Sequence, residues 1–175
     1  VDSTGDVSIS DARFSENSAR DGGAIWVDVA TSNTLTIEYS VFDQNVSTIA
    51  GGAIGVGVNG GLTLAASSVL ENSSDQGGGV WLDGTSGEVV IRDSDFRLNT
   101  ATSTGGAIAS SNPTDLSLTR LLFRDNASGS QGGAWDHNGG VAVASLSQWI
   151  GNRSADGGAL SLRGTNLAVD LINNT

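Results

Sequence analysis

The eighteen residues from Ile91 to Ile108, IRDSDFRLNTATSTGGAI, decide the fold. They hold two short signatures: Phe96 followed three positions later by Asn99, then the run Gly105-Gly106-Ala107-Ile108. Both return along the chain. The first recurs as Phe14/Asn17, Phe42/Asn45, Val69/Asn72, Phe123/Asn126 and Trp149/Asn152, and the successive apolar members step by 28, 27, 27, 27 and 26 residues. The second recurs as Gly22-Gly23-Ala24-Ile25, Gly51-Gly52-Ala53-Ile54, Gly77-Gly78-Gly79-Val80, Gly132-Gly133-Ala134-Trp135 and Gly157-Gly158-Ala159-Leu160. Self-similarity at a fixed period is the mark of a solenoid.

Working outward from these anchors, each of the first five repeats carries an alternating segment upstream of its large residue. These are Val7/Ile9, Leu35/Ile37, Leu62/Leu64, Val89/Ile91 and Leu116/Leu118, with polar or small residues between. Period-two alternation predicts a half-buried strand. In the sixth repeat Ala142 holds the equivalent place, while Val141 and Val143 offer a register shifted by one; both remain open. A second alternation follows each Gly-Gly, as in Ile25/Val27, Ile54/Val56, Val80/Leu82 and Leu160/Leu162. Each repeat therefore predicts two or three strands of about four residues, one glycine turn and a variable loop. Helical repeats of this length need a 3.6-residue stripe and strong helix formers. This chain is instead rich in Gly, Ser, Thr, Asn and Val.

The expected fold is all-β: a right-handed parallel β-helix of about six to seven coils of about 27 residues, with residues 1–175 forming one segment. Successive coils of such a helix lie about 4.8 Å apart, so equivalent residues stack in columns. Phe14, Phe42, Val69, Phe96, Phe123 and Trp149 are expected to fill the bore with low exposure at all six. Asn17, Asn45, Asn72, Asn99, Asn126 and Asn152 are expected to form a ladder of amides at a corner. The pairs Gly22/Gly23, Gly51/Gly52, Gly77/Gly78, Gly105/Gly106, Gly132/Gly133 and Gly157/Gly158 are expected to give a positive-φ corner.

Composition narrows the function. The chain has 25 Gly, one Pro, no Cys and no Met, with 38% hydrophobic residues. The missing Met predicts a piece of a longer translation product. Zero cysteine excludes disulfides and thiolate metal sites, and no apolar run is long enough to span a bilayer as a helix. The net charge is −11, and all eight basic residues are Arg. That balance argues against nucleic acid and against anionic lipid as partners.

Phe-x-x-Asn alternating with Gly-Gly-Ala-Ile/Leu/Val, from Phe14 to Leu160, resembles the repeat of the polymorphic outer-membrane proteins. Passengers of that family are secreted through a carboxy-terminal barrel. The resemblance implies a right-handed β-helix on a bacterial surface, with adhesion as the activity. Departures are Val69 and Trp149 in place of Phe, Gly79 in place of Ala, and Trp135 ending its run.

Three candidate sites emerge. Trp135-Asp136-His137 resembles a short Trp-x-Asp-His segment of pectate lyases, but no lysine is present and no Arg lies at a matching position. His137 falls in the column of Val27, Val56 and Leu82, which predicts a half-buried structural histidine. Asp28 and Asp83 follow their Gly-Gly runs at the same offset and are weak candidates for calcium, which wants six to eight converging oxygens. Trp26 and Trp81 share an outward column with Gly55 between them; two rings about 10 Å apart over a glycine floor would suit a sugar or a partner.

The reading that follows is an extracellular adhesin or autotransporter-passenger scaffold at the bacterial cell surface. It is not an enzyme and needs no cofactor, calcium excepted. Its partners would be a host or neighbouring cell surface, a glycan, or other copies of itself. The alternative is a structural subunit of an extracellular fibre assembled end to end; a polysaccharide-active enzyme is a minor one. Neither end carries a visible cap, which predicts a longer solenoid or a filament.

Overall fold

The computed structural model describes residues 5–28, 33–84, 87–113 and 115–175, and their regular structure is entirely β. A central coil illustrates the plan. Its strands are Val89–Arg92, Asp95–Arg97, Thr100–Thr104 and Ile108–Ser111. Each belongs to a different parallel sheet, and the four sheets contain seven, six, five and six strands. The chain is a parallel β-helix with four walls.

Four strands per coil exceed the two or three that the sequence predicts. The reason lies in the corners. In this coil single residues with positive φ, Asp93 (53°), Leu98 (56°) and Gly105 (63°), each turn the chain from one wall to the next. Only the third corner is a glycine. The equivalent non-glycine corners include Tyr39, Ala66, Arg120 and Leu146 before the second sheet, and Glu16, Gln44, Glu71 and Asp125 after it. A left-handed conformation disfavours such side chains, so no turn composition announces these corners.

Register is strict. Leu62 pairs with Val89 and Val89 with Leu116; Val69 pairs with Phe96 and Phe96 with Phe123. In the sixth repeat Leu116 and Leu118 pair with Ala142 and Ala144. The alanines therefore face the bore, and Val141 is exposed.

Phe42, Val69, Phe96 and Phe123 are fully buried, but Phe14 and Trp149 are only partly so. The expectation of low exposure at all six is corrected at these two. They lie on Arg13–Ser15 and Gln148–Ile150, the edge strands of the second sheet, where a neighbouring coil covers one side alone. Within the column rings stack face to face: Phe14 on Phe42 at 4.9 Å, Phe96 on Phe123 at 5.2 Å, and Phe123 on Trp149 at 4.3 Å.

The departures from the repeat pair off inside the bore. Val69 and Gly79 belong to one coil, and a Cβ at position 79 would lie 2.9 Å from Val69 Cγ1 and 2.8 Å from the Ala107 carbonyl oxygen. The branched valine takes the room that the alanine methyl occupies in other coils. Trp135 and Trp149 likewise stack on each other, at 6.4 Å with planes 17° apart.

The asparagine ladder is complete in its hydrogen bonding. Asn99 Nδ2 donates to Asn126 Oδ1 (3.0 Å) and to the Val69 carbonyl (2.8 Å). Its Oδ1 accepts from both the backbone N–H (3.1 Å) and the side-chain amide (3.0 Å) of Asn72. The pattern repeats at Asn45, Asn72 and Asn126, all fully buried. Asn17, at the outer end, is exposed, and Asn152 is partly buried.

A second ladder escapes sequence inspection. Ser40, Ser67, Ser94 and Ser147 each lie two residues before the large apolar residue. Each hydroxyl donates to the carbonyl two residues earlier. Each also accepts a backbone N–H from the preceding coil: Ala12 to Ser40, Ser40 to Ser67, Ser67 to Ser94 and Leu121 to Ser147. Backbone groups left over at the first corner are thus satisfied by serine, as those at the second are by asparagine.

The two glycines of each pair serve different ends. Gly105 needs its positive φ, whereas a Cβ on Gly106 would lie 2.1 Å from the Gly133 carbonyl oxygen of the next coil. The first glycine turns the chain; the second lets adjacent coils approach.

Two truncations test this core. Phe96→Ala is expected to cost about 3–5 kcal/mol, with a clearly smaller loss for the half-covered Phe14→Ala, read as shifts in urea midpoint. Asn99→Ala removes the acceptor of two Asn72 donors and the side-chain bonds to Asn126 and the Val69 carbonyl, and is expected to cost about 3 kcal/mol. Asn17→Ala, at the exposed end of the same ladder, is expected to cost about 1 kcal/mol or less; equal losses for the two variants would contradict the ladder's role.

Candidate functional site

On the fourth sheet the alternation of side chains separates two columns. Val27, Val56, Leu82, Ser110 and His137 occupy one set of paired positions and face the bore. Trp26, Gly55, Trp81, Ala109, Asp136 and Ser161 occupy the other. The second column is the outer surface on which the chemically distinctive residues gather.

Trp26 and Trp81 lie two coils apart, so their backbones are separated by about 10 Å. Their rings are not. The indoles lean across Gly55 until their centroids are 5.8 Å apart, with planes 21° from parallel. A Cβ at position 55 would lie 2.5 Å from Trp26 Cε3, so the missing side chain is the room the indole uses. The expected slot between two rings is therefore corrected: it is closed, and the pair forms one half-buried aromatic ridge. Stacking leaves one face of Trp81 against Trp26 and turns the other toward Ala109 and Asp136.

The pairing of Asp136 with Arg163 is the feature that sequence reading missed. The Asp136 carboxylate accepts two hydrogen bonds from the side edge of Arg163, with Nε to Oδ1 at 3.1 Å and Nη2 to Oδ2 at 2.7 Å. The Asp136 side chain is 3% exposed and that of Arg163 39%. The signal was available: Asp136 pairs with Ser161, and Arg163 stands two residues further along the same face of the same wall. Trp81, Ala109, Ser111, Asn138, Asp136 and Arg163 line a hollow of about 80 Å³.

Directly behind this surface, inside the bore, lies a polar knot. Trp135 Nε1–H donates to Ser110 Oγ (2.9 Å), and Ser110 Oγ lies 2.8 Å from His137 Nδ1. Ser110 Oγ also lies within 3.4 Å of the Asp136 carbonyl, so the hydroxyl ties the indole, the imidazole and the backbone of the fourth wall together. Burial pushes the His137 pKa below its ordinary value, against the opposing influence of the Gly140 backbone and the Asp136 charge. His137 is fully buried and Ser110 nearly so. The histidine is thus deeper than the half-buried one expected, and it is an internal hydrogen-bonding partner away from solvent.

The two aspartates considered for calcium are not joined by further ligands. Asp28 is exposed and Asp83 half-buried. Among the described residues, no group of three or more His, Cys, Asp or Glu side chains is placed to hold a metal ion. No helix among them is long and apolar enough to cross a membrane.

The four walls, the amide ladder and the outward ridge define a parallel β-solenoid. A family model described as the Chlamydia polymorphic membrane protein repeat matches residues 11–28. That stretch holds one complete pair of signatures, Phe14/Asn17 and Gly22-Gly23-Ala24-Ile25. Residues 11–28 thus carry a repeat of the polymorphic membrane protein type, and its two signatures recur in the later coils of this parallel β-helix, which fits a surface passenger scaffold. No curated protein and no solved structure matches the chain.

The buried knot carries a pH signature. With the folded-state pKa of His137 depressed, the unfolded chain takes up the proton first, so the His137 contribution to stability is fully present above about pH 7 and is lost as pH falls through about 6.5, the ordinary histidine value. Since His137 is the only histidine, His137→Leu is expected to abolish the change in urea midpoint between pH 7.5 and 5.5. An unchanged slope in that variant would remove His137 as its source.

Proposed function

We propose that this chain is a rigid segment of a cell-surface passenger that acts as an adhesin, displaying its outer walls to another cell instead of performing catalysis. The observation that carries the reading is the division of labour across the wall. The bore is filled by apolar columns and self-satisfied amide and hydroxyl ladders, and the variable chemistry stands outside on a stiff support. A support of this kind presents contact residues with little ordering cost on binding. The charge of −11 at pH 7 keeps neighbouring rods apart.

Beads coated with the purified chain are expected to attach to target cells, with soluble chain competing; beads that attach to no cell type, or attachment indifferent to soluble chain, would defeat the adhesin reading. The fibre alternative is separated by light scattering against ionic strength. An adhesive segment is expected to remain monomeric as screening shortens to about 8 Å in physiological salt, with calcium present or absent, whereas a fibre subunit would grow.

A further inference from the structure

We infer that the hollow between Trp81 and the Asp136–Arg163 ion pair is a binding site for one neutral hexopyranose unit of a glycan. This deepens the adhesin reading by naming the chemistry of the contact, but it stands on geometry of its own.

Three properties of the hollow define the ligand. The first is its aromatic wall. Trp81 is backed by Trp26 at 5.8 Å, which fixes the tilt of its ring and leaves the opposite face toward the hollow. A flat apolar face of this kind suits the C–H face of a pyranose ring. The floor is Ala109, 4% exposed, small enough to let a ring edge approach the sheet.

The second is the opposite wall. Asp136 and Arg163 hold each other in a two-bond pair, so both are preorganised before any ligand arrives. A carboxylate has more lone-pair sites than this pair uses, and the guanidinium has five N–H donors, of which the pair engages two. Adjacent sugar hydroxyls, each a donor and an acceptor, match that mixture. Ser111 and Asn138 add further hydroxyl and amide groups at the rim.

The third is charge. Asp136 and Arg163 cancel locally, and the chain as a whole carries −11. Nothing in the hollow offers an uncompensated cation to a carboxylate or sulfate, so a uronic or sialic acid is disfavoured and a neutral ring is selected. At about 80 Å³ the hollow admits one edge of one ring, with the remainder of the glycan lying outside along the wall.

The test uses the full chain and simple probes: the methyl glycosides of mannose, glucose and galactose, with glucuronate as the charged comparison, followed by calorimetry and by chemical-shift changes at the indole N–H groups. At least one neutral glycoside is expected to bind and to shift the Trp81 indole signal, with glucuronate binding at least about tenfold more weakly. Trp81→Ala is expected to weaken binding about tenfold or more, measured at a temperature well below its thermal midpoint, which loss of the stack on Trp26 is expected to lower. Asn138→Ala is a milder second variant, expected to weaken binding severalfold, because Arg163→Ala would strand the buried carboxylate and confuse binding with folding. Binding to none of the three glycosides, or binding that both variants leave unchanged, would overturn the site. Glycoside binding without bead attachment to cells would remove the adhesin reading and leave the site standing; attachment that saturating glycoside fails to reduce would separate the two the other way.

Discussion

Everything in this molecule depends on the axial hydrogen bond between equivalent residues of successive coils. Because those bonds fix one coil above the next at about 4.8 Å, every inward residue meets its own counterpart twice, once on each side. A side chain is therefore acceptable only if it packs against, or bonds to, a near copy of itself. Leucine, isoleucine and phenylalanine satisfy this by stacking. Asparagine satisfies it by donating one way and accepting the other, as Asn45, Asn72, Asn99 and Asn126 do. A lone polar residue does not, and the one polar intrusion into the described fourth-wall column, Ser110 with His137, comes as a pair on neighbouring coils tied to Trp135.

The same constraint explains which parts of the fold were legible in the sequence. Residues that obey the columns produce a period, and Phe96/Asn99 with Gly105/Gly106 expose that period directly. The serine ladder obeys it too, but serine is so common throughout this chain that Ser40, Ser67 and Ser94 do not stand out against the background. The corners at Asp93 and Leu98 leave little mark: aspartate enters the left-handed region more readily than most residues but occupies only some of these corners, and a leucine there announces nothing. Two strand breaks were missed for that reason. In the sixth repeat, hydrophobicity alone favours Val141 and Val143 inward, yet register with Leu116 and Leu118 turns Ala142 and Ala144 in. The bore there already holds the stacked Trp135 and Trp149, and two small residues leave them room.

The outer surface was less readable, and for a related reason. Stacking fixes where Cα atoms lie but not where long side chains lean. From spacing alone Trp26 and Trp81 stand apart; only the empty volume above Gly55 lets the rings meet. Asp136 seemed, from its neighbours in sequence, to belong with His137. The pleat sends them to opposite sides of the wall, and the partner of Asp136 is instead Arg163 on the next coil. Proximity along the chain misleads in a solenoid, whereas proximity at one period plus or minus two residues is informative.

The asparagine ladder has a consequence for how such a chain can be made. Asn45, Asn72, Asn126 and Asn152 are each followed two residues later by a serine, Ser47, Ser74, Ser128 and Ser154. Each tripeptide is an acceptor sequence for N-linked oligosaccharide. In the folded rod three of these four amides are completely enclosed, so a transferase could reach them only while the chain is still unfolded. A polypeptide threaded into a glycosylating secretory compartment would be modified at that stage, and a sugar on Nδ2 would displace hydrogen bonds that the stack requires. The ladder that stabilises the finished solenoid is thus incompatible with glycosylation of the nascent chain, and production in a eukaryotic secretory host would require those serines to be replaced.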